Sequence, residues 1–184
     1  MTKIYTKRGD QGETDLFGAG RVTKDDPRVV AYGTVDECNA TLGMVRSQLA
    51  GEEKLAPIDA ILARLQNELF MVGSELAAPG MVAKMPVIKK DQITALENEI
   101  DAFTAELPAL KHFILPGGTE AAAALHFART VARRAERFTV CLVRELGARG
   151  EVLIYLNRLS DHLFVLARAV NHKSGVTEVE WIPR

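Results

Sequence analysis

Apolar residues recur along most of this chain at the three- and four-residue steps of a helix, and the breaks in that rhythm divide it into five segments. Ala31, Val35, Cys38, Leu42, Val45 and Leu49 form a stripe over 27–48, with Pro27 suited to a first helical turn. Ile58, Leu62, Leu65, Leu69, Val72 and Leu76 repeat in heptad-like steps over 57–78, where Met71 reads as core rather than ligand. Ile93, Leu96, Ile100 and Phe103 mark a third helix over 91–106, with Asp91 as its expected cap. Leu125, Ala128, Ala132, Ala135, Thr139 and Leu142 stripe a fourth over 119–146, which Thr119 caps and Glu120 favours at the positive end of its dipole. That helix is expected to stop near Gly147 and Gly150. Leu156, Leu159, Leu163, Leu166 and Val170 define the fifth, 151–173, on which Asn157 and Asp161 share an adjacent face.

Between these stripes the pattern fails in informative ways. Residues 1–27 lack a sustained period and place Gly9, Gly12, Gly18 and Gly20 among threonines, lysines and arginines, which reads as a glycine-rich loop. Prolines and a glycine make 79–90 an exposed connection, 107–116 is a crossing loop, and 174–184 is a weakly alternating, extended tail. Gly33 and Gly43 are costly inside a helix unless another helix packs closely there. Together these elements predict an all-α fold, a five-helix up-and-down bundle behind a glycine-rich N-terminal loop. We expect one domain over 1–184, with a nucleotide-binding loop at 1–27, the bundle at 28–173 and the tail at 174–184.

Composition narrows the chemistry. A length of 184 residues suits one well-buried domain. A formal charge of -1 supplies no global field for nucleic acid or an anionic membrane, so any anion site is local. Cys38 and Cys141 lack metal-site or disulfide spacing and are expected to be buried small hydrophobes. The polar N-terminus lacks a secretory core and no apolar run reaches membrane-spanning length, so a cytoplasmic chain is expected. A di-iron bundle needs Glu-x-x-His pairs, but His112, His126, His162 and His172 follow Ala109, Ala123, Leu159 and Ala169 at that spacing.

Candidate chemistry lies in two places. Arg129, Arg133 and Arg137 recur every four residues, stacking like charges that repel mildly unless an anion lies among them. The same row also fits a solvated, ion-paired face with Glu120, Glu136 and Glu145 as partners, and this stretch alone favours that reading. The glycines of 1–27 can bring backbone N–H groups close to phosphates, yet neither a Walker A loop nor a dinucleotide fingerprint occurs. A plain disordered terminus is the alternative there.

Six stretches in order change the balance: TKRGDQGET (6–14), GRVTKDD (20–26), AYGTVDECNATLG (31–43), FILPGG (113–118), ARTVARRAER (128–137) and YLNRLSDHLFVLAR (155–168). Together they resemble the ATP:cob(I)alamin adenosyltransferases of the PduO type, from the N-terminus almost to residue 173. The resemblance implies a homotrimer of five-helix bundles that binds MgATP and a corrinoid at subunit interfaces. It implies transfer of the 5′-deoxyadenosyl group to cobalt, with release of triphosphate. Carried over motif by motif, Thr6, Lys7, Arg8, Gly9, Thr14 and Lys24 wrap the phosphates. Arg133, Arg134, Glu136 and Arg137 hold the nucleotide, joined by Asn157. Asp36 of one subunit pairs with Arg129 of the next, and Phe113 lies beneath the corrin. Magnesium accompanies ATP, no protein metal site is implied, and a reductase or a product-accepting enzyme is a possible partner.

Two departures stand out. Arg8 occupies a position where the family usually has threonine, so the loop is expected to meet phosphate differently. Cys38 replaces a usual leucine, a change of packing. Two other classes fit parts of the pattern: a non-enzymatic nucleotide or corrinoid carrier, which would bind without making triphosphate, and a structural helical oligomer, which would have no use for the N-terminal glycines or the 113–118 loop.

Overall fold

A computed structural model describes residues 3–80 and 85–183 of the chain. Its elements are β1 (Glu13–Leu16), β2 (Gly20–Thr23), α1 (Pro27–Leu49), α2 (Ala56–Ala77) after one 3-10 turn, α3 (Lys90–Glu106), α4 (Glu120–Glu145) and α5 (Gly150–Lys173). The five helices run alternately up and down, as the apolar stripes predict. Each helix stands within a residue or two of its expected bounds, because the positions that end the stripes are also those that cannot continue a helix.

Four helices, α1, α2, α4 and α5, enclose the core, and α3 lies on the outer side of α5. Leu42, Leu62, Leu69, Leu125, Leu142, Leu156 and Leu163 are fully buried where the stripes meet. Each such leucine contributes about 1.5–3 kcal/mol by leaving water. Only Ile93 and Leu96 of α3 are buried, whereas Ile100 and Phe103 are half-buried and only Phe103 of the two packs on the core. The cap of α3 is Lys89, whose N–H is met by the Gln92 side chain at 3.0 Å, and Asp91 instead sits in the first turn. Thr119 caps α4 as expected, accepting from Ala122 N at 3.1 Å.

One end of the bundle gathers the start of α1 and the finish of α2 and α4. There the buried Arg28 donates to Leu76 O and Leu146 O, carbonyls that the two helices leave unpaired as they stop. Gly147 turns out of α4 at φ +68, while Gly150, expected to end that helix, opens α5. Glu75 is buried at the same end, bonded to Arg149 and to Ile88 N. Ile88 is fully buried, which corrects the expected exposed connection at that point; its 81–84 portion lies outside the described residues.

Three other expectations change. Residues 13–23 are not an irregular loop but an antiparallel hairpin, Glu13 opposite Thr23 and Leu16 opposite Gly20. Buried Leu16 and the bond from Phe17 N to Ala77 O, at 3.0 Å, seat it on the end of α2. A four-residue strand with one inward side chain offers too little alternation to be read beforehand. Gly43 does meet a neighbour, Gln66 Nε2, but nothing lies within 4 Å of a side chain at Gly33. Cys38 is buried and its thiol is pushed up to about 12 by burial, whereas Cys141 is only half-buried, beside Glu145.

Candidate functional site

The middle of α4 carries the arginine row. Of its expected local partners, Glu136 accepts instead from Asn157 Nδ2 at 2.9 Å, tying α4 to α5, and Glu145 faces Cys141. Among the described residues, Arg129, Arg133 and Arg137 have no carboxylate within ion-pair distance. Arg134 turns the other way and pairs with Glu37 on α1. The ion-paired face considered from sequence is therefore absent for the three stacked arginines.

Arg129 is the most constrained of them. Its Nε is buried with no hydrogen-bond partner, and burial together with the neighbouring Arg133 charge holds its pKa below the usual guanidinium range. A buried N–H of a cation without an acceptor is costly, so the row favours an anion arriving from outside the protomer. Asp36, the expected partner of Arg129, lies exposed on α1, and the two do not form an ion pair within the chain. Beside Arg129, His126 is 2% exposed, with neither ring nitrogen hydrogen-bonded and its edge toward Phe164 at 5.8 Å. Burial first, and Arg129 second, lower its pKa to about 4.

At the hairpin end, the residues of the expected phosphate loop come together in part. Lys7 adopts a left-handed φ of 60, which folds 7–12 into two successive turns. Lys24 N bonds Gly12 O at 2.8 Å, and the Lys24 ammonium lies 3.2 Å from where a side chain at Gly9 would begin. Glycine at position 9 thus leaves that ammonium its place. Thr14 lies on β1 opposite Val22, and Thr6 Oγ1 accepts from Arg8 N. Arg8 itself is engaged with Asp15 at 3.2 Å, and its carbonyl accepts from Arg21.

The opposite end holds Phe113, 81% exposed. It sits on a short antiparallel pairing between 113–115 and the tail: Leu115 N donates to Val179 O and Trp181 N donates to Phe113 O, at 2.8 and 2.7 Å. Trp181 meets the Phe113 ring edge-on at 6.4 Å. Leu110, Lys111, His112 and Pro183 complete an open cavity of about 500 Å³ around these rings. The exposed ring and its cavity exclude the core-plug alternative that an apolar residue before a Pro-Gly-Gly turn also suggests. Phe113 and the phosphate loop stand at opposite ends of one protomer, separated by α4, which spans about 39 Å at 1.5 Å per residue.

Sequence reasoning missed Trp181, Asn171 and His126. The tail offered only weak alternation, but paired glycines at 117 and 118 were a usable sign that something crowds that turn.

The chain thus combines a helical bundle, an arginine row without carboxylate partners among the described residues and an exposed aromatic cavity at one end. The family model described as cobalamin adenosyltransferase matches residues 4–170, and the chain belongs to that family. A corrinoid adenosyltransferase of Bacillus subtilis (strain 168) is 46% identical over 179 residues, covering 97% of this chain and 92% of that one. The corrinoid adenosyltransferase PduO of Salmonella typhimurium is 47% identical over 90% of this chain, which spans 49% of that longer relative. Among solved structures, an arginine-to-lysine variant of the Lactobacillus reuteri PduO-type enzyme complexed with ATP superposes with a TM-score of 0.90. It is 41% identical, over 97% of this chain and 100% of that one. A phenylalanine-to-alanine variant complexed with cobalamin and ATP gives 0.91 at 41% identity, over 98% and 100%.

Proposed function

We propose that this protein transfers the 5′-deoxyadenosyl group of ATP to the cobalt of cob(I)alamin, giving adenosylcobalamin and triphosphate. The observation that carries the reading is the α4 arginine row of Arg129, Arg133 and Arg137, unpaired among the described residues and lying inside a family match that covers most of the chain.

In this reaction the cobalt(I) lone pair attacks C5′ of ATP. The Co–C bond forms as the C5′–O bond breaks, and the electron pair of that bond leaves on triphosphate. Cobalt is the nucleophile, so the protein needs no serine, cysteine or general base, and its work is positioning and charge stabilisation. We assign the phosphates to Thr6, Lys7, Gly9, Thr14 and Lys24, supported by the Lys24–Gly9 approach. Arg8 contributes through its backbone while its side chain pairs with Asp15. Arg133, Arg134, Glu136, Arg137 and Asn157 hold the nucleotide from α4 and α5, with the Glu136–Asn157 bond fixing both side chains.

Magnesium enters as part of MgATP. Its hard-cation preference for phosphate oxygens and water suits a place on the substrate rather than in a dedicated protein cage. When bound there it spreads the charge of the leaving triphosphate. A homotrimer belongs to the same reading: Asp36 of one protomer meets Arg129 of the next, supported by the orphaned Arg129 Nε and the open space at Gly33. Phe113 lies under the corrin, where its ring excludes water and the lower axial base, leaves cobalt(II) four-coordinate and eases its reduction. A cytoplasmic setting and an electron-supplying or product-accepting protein complete the proposal. No helix among the described residues is long and apolar enough to cross a membrane.

The test mixes the protein with MgATP and chemically reduced cobalamin. The adenosylcobalamin spectrum should appear with stoichiometric triphosphate. Nucleotide binding without triphosphate would replace the enzyme with a carrier.

A further inference from the structure

The turn that joins the Phe113 segment to α4 is held by a side chain from α5. Asn171 is 2% exposed in the last turns of that helix. Its Nδ2 donates to Gly117 O and its Oδ1 accepts from Thr119 N, both at 3.0 Å. One carboxamide therefore satisfies both polar groups of the turn, as a strand would, and fixes its position in two directions. Gly118 fits this arrangement twice over. Its φ is +103, and a Cβ there would run into the Asn171 carboxamide. Three residues earlier on α5, buried Arg168 donates to Pro108 O and to Glu178, so the same helix also grips the start of the loop and the tail.

We propose that Asn171 is a positioning residue for corrin binding: through the turn at 117–119 it sets where Phe113 stands. This rests on the reading that Phe113 lies under the corrin. Asn171 touches neither substrate in this account. Its carboxamide locates the base of the segment whose tip carries the ring, while the tail pairing steadies the tip. An aromatic ring at 81% exposure has few contacts of its own to hold it, so its placement depends on this backbone.

Trp181 is the single tryptophan and meets Phe113 edge-on, so its emission reports the segment without any substrate present. Asn171→Ala should shift or broaden that emission while helix content by circular dichroism stays unchanged. It should lower turnover from cobalt(II) with a weak reductant by about tenfold or more, and turnover of preformed cobalt(I) far less, because a misplaced ring fails chiefly at the reduction step. Asn171→Asp, which keeps the acceptor for Thr119 N but sets an oxygen against Gly117 O, should fall between. Asn67→Ala, removing an exposed amide bonded only to Ala63 O, is the control and should match the parent. Unchanged Trp181 emission, or an equal fall in both assays tracking melting temperature, overturns the positioning role. Phe113→Ala, run beside these, separates the two claims. If it spares the cobalt(II) route, the role of Phe113 is wrong, and the Trp181 signal alone still decides whether Asn171 sets the loop.

Discussion

Arg133 and Arg144 both project from α4 into solvent, yet only Arg133 stands in the unpaired row beside Arg129. A guanidinium aimed at developing triphosphate charge is worth far more than a surface cation. Arg133→Ala should therefore lower kcat/KM by about 10²-fold or more, the scale of one lost charge-stabilising donor. Arg144→Ala should stay within about twofold. Equal losses at the two positions would remove the row from the site. His126 gives a second residue-scale outcome. Its folded pKa of about 4 lies below the ordinary histidine value, so the unfolded chain binds this proton first on acidification. The groups facing it are Arg129 on its own helix and the apolar Phe164 of α5, and neither stabilises a second cation. Its contribution is complete above the ordinary histidine range and is lost as pH falls toward about 4. His126→Leu should flatten the melting-temperature profile across that window. An unchanged slope would place the acid sensitivity elsewhere.

At the scale of elements, what the sequence made legible follows from how many residues report each feature. Every helix rests on four to six apolar positions that agree with one another, so bounds and order were readable together. β1 and β2 rest on Leu16 and on backbone pairing, which no side-chain period announces. The arginine row was legible as spacing, but whether Glu120, Glu136 or Glu145 neutralised it depended on rotamers and on the partner helix, Asn157 having taken Glu136. The 113–115 pairing with 179–181 joins segments far apart in the chain through main-chain groups, which carry no sequence signature. The hairpin also refines what nucleotide does to the N-terminal segment. Residues 13–23 already have their ladder, whereas 3–8 are exposed, Ile4 and Tyr5 included, and so bury little apolar surface to offset the entropy of fixing them. Trypsin cleavage at Lys7 and Arg8 should slow when MgATP is added. Equal cleavage at saturating MgATP would move the phosphates away from this loop.

For the whole molecule, Asp36 lines the groove between α1 and α2 beside Phe70 and Ser74, whereas the orphaned Arg129 stands on α4, so in the proposed assembly the two meet only between protomers. Asp36→Ala and Arg129→Ala should each damage activity by leaving the other charge stranded in a partly dry interface. Their double mutant should lose less than the sum of the two, as expected of groups in contact. Simple addition of the losses would mean that Asp36 and Arg129 do not meet. Sedimentation of each variant separates a broken assembly from a damaged site.

The peripheral placement of α3 has a consequence for how the native chain opens. With two buried apolar residues, this helix is secured largely by polar ties: Glu99 to Arg64 at 2.7 Å, His162 Nε2 lying 3.1 Å from the same carboxylate, and Glu97 to Arg158 at 3.1 Å. Such ties resist water less well than the leucine layers inside the other four helices, so α3 is the natural first unit to detach in native-state fluctuations. Its amides should exchange with deuterium through openings of lower free energy than those of α4 and α5. Added salt should speed that exchange by screening the Glu99–Arg64 and Glu97–Arg158 ion pairs, while leaving the slowest α4 and α5 amides nearly unaffected. Uniform protection across all five helices would mean that the bundle opens as one cooperative unit. Although α3 leads into the segment bearing Phe113, Arg168 holds Pro108 and Asn171 holds the 117–119 turn, so α3 can open while that segment keeps both of its anchors. The aromatic cavity, which no α3 residue lines, would then keep its form through a local opening that spares the rest of the bundle.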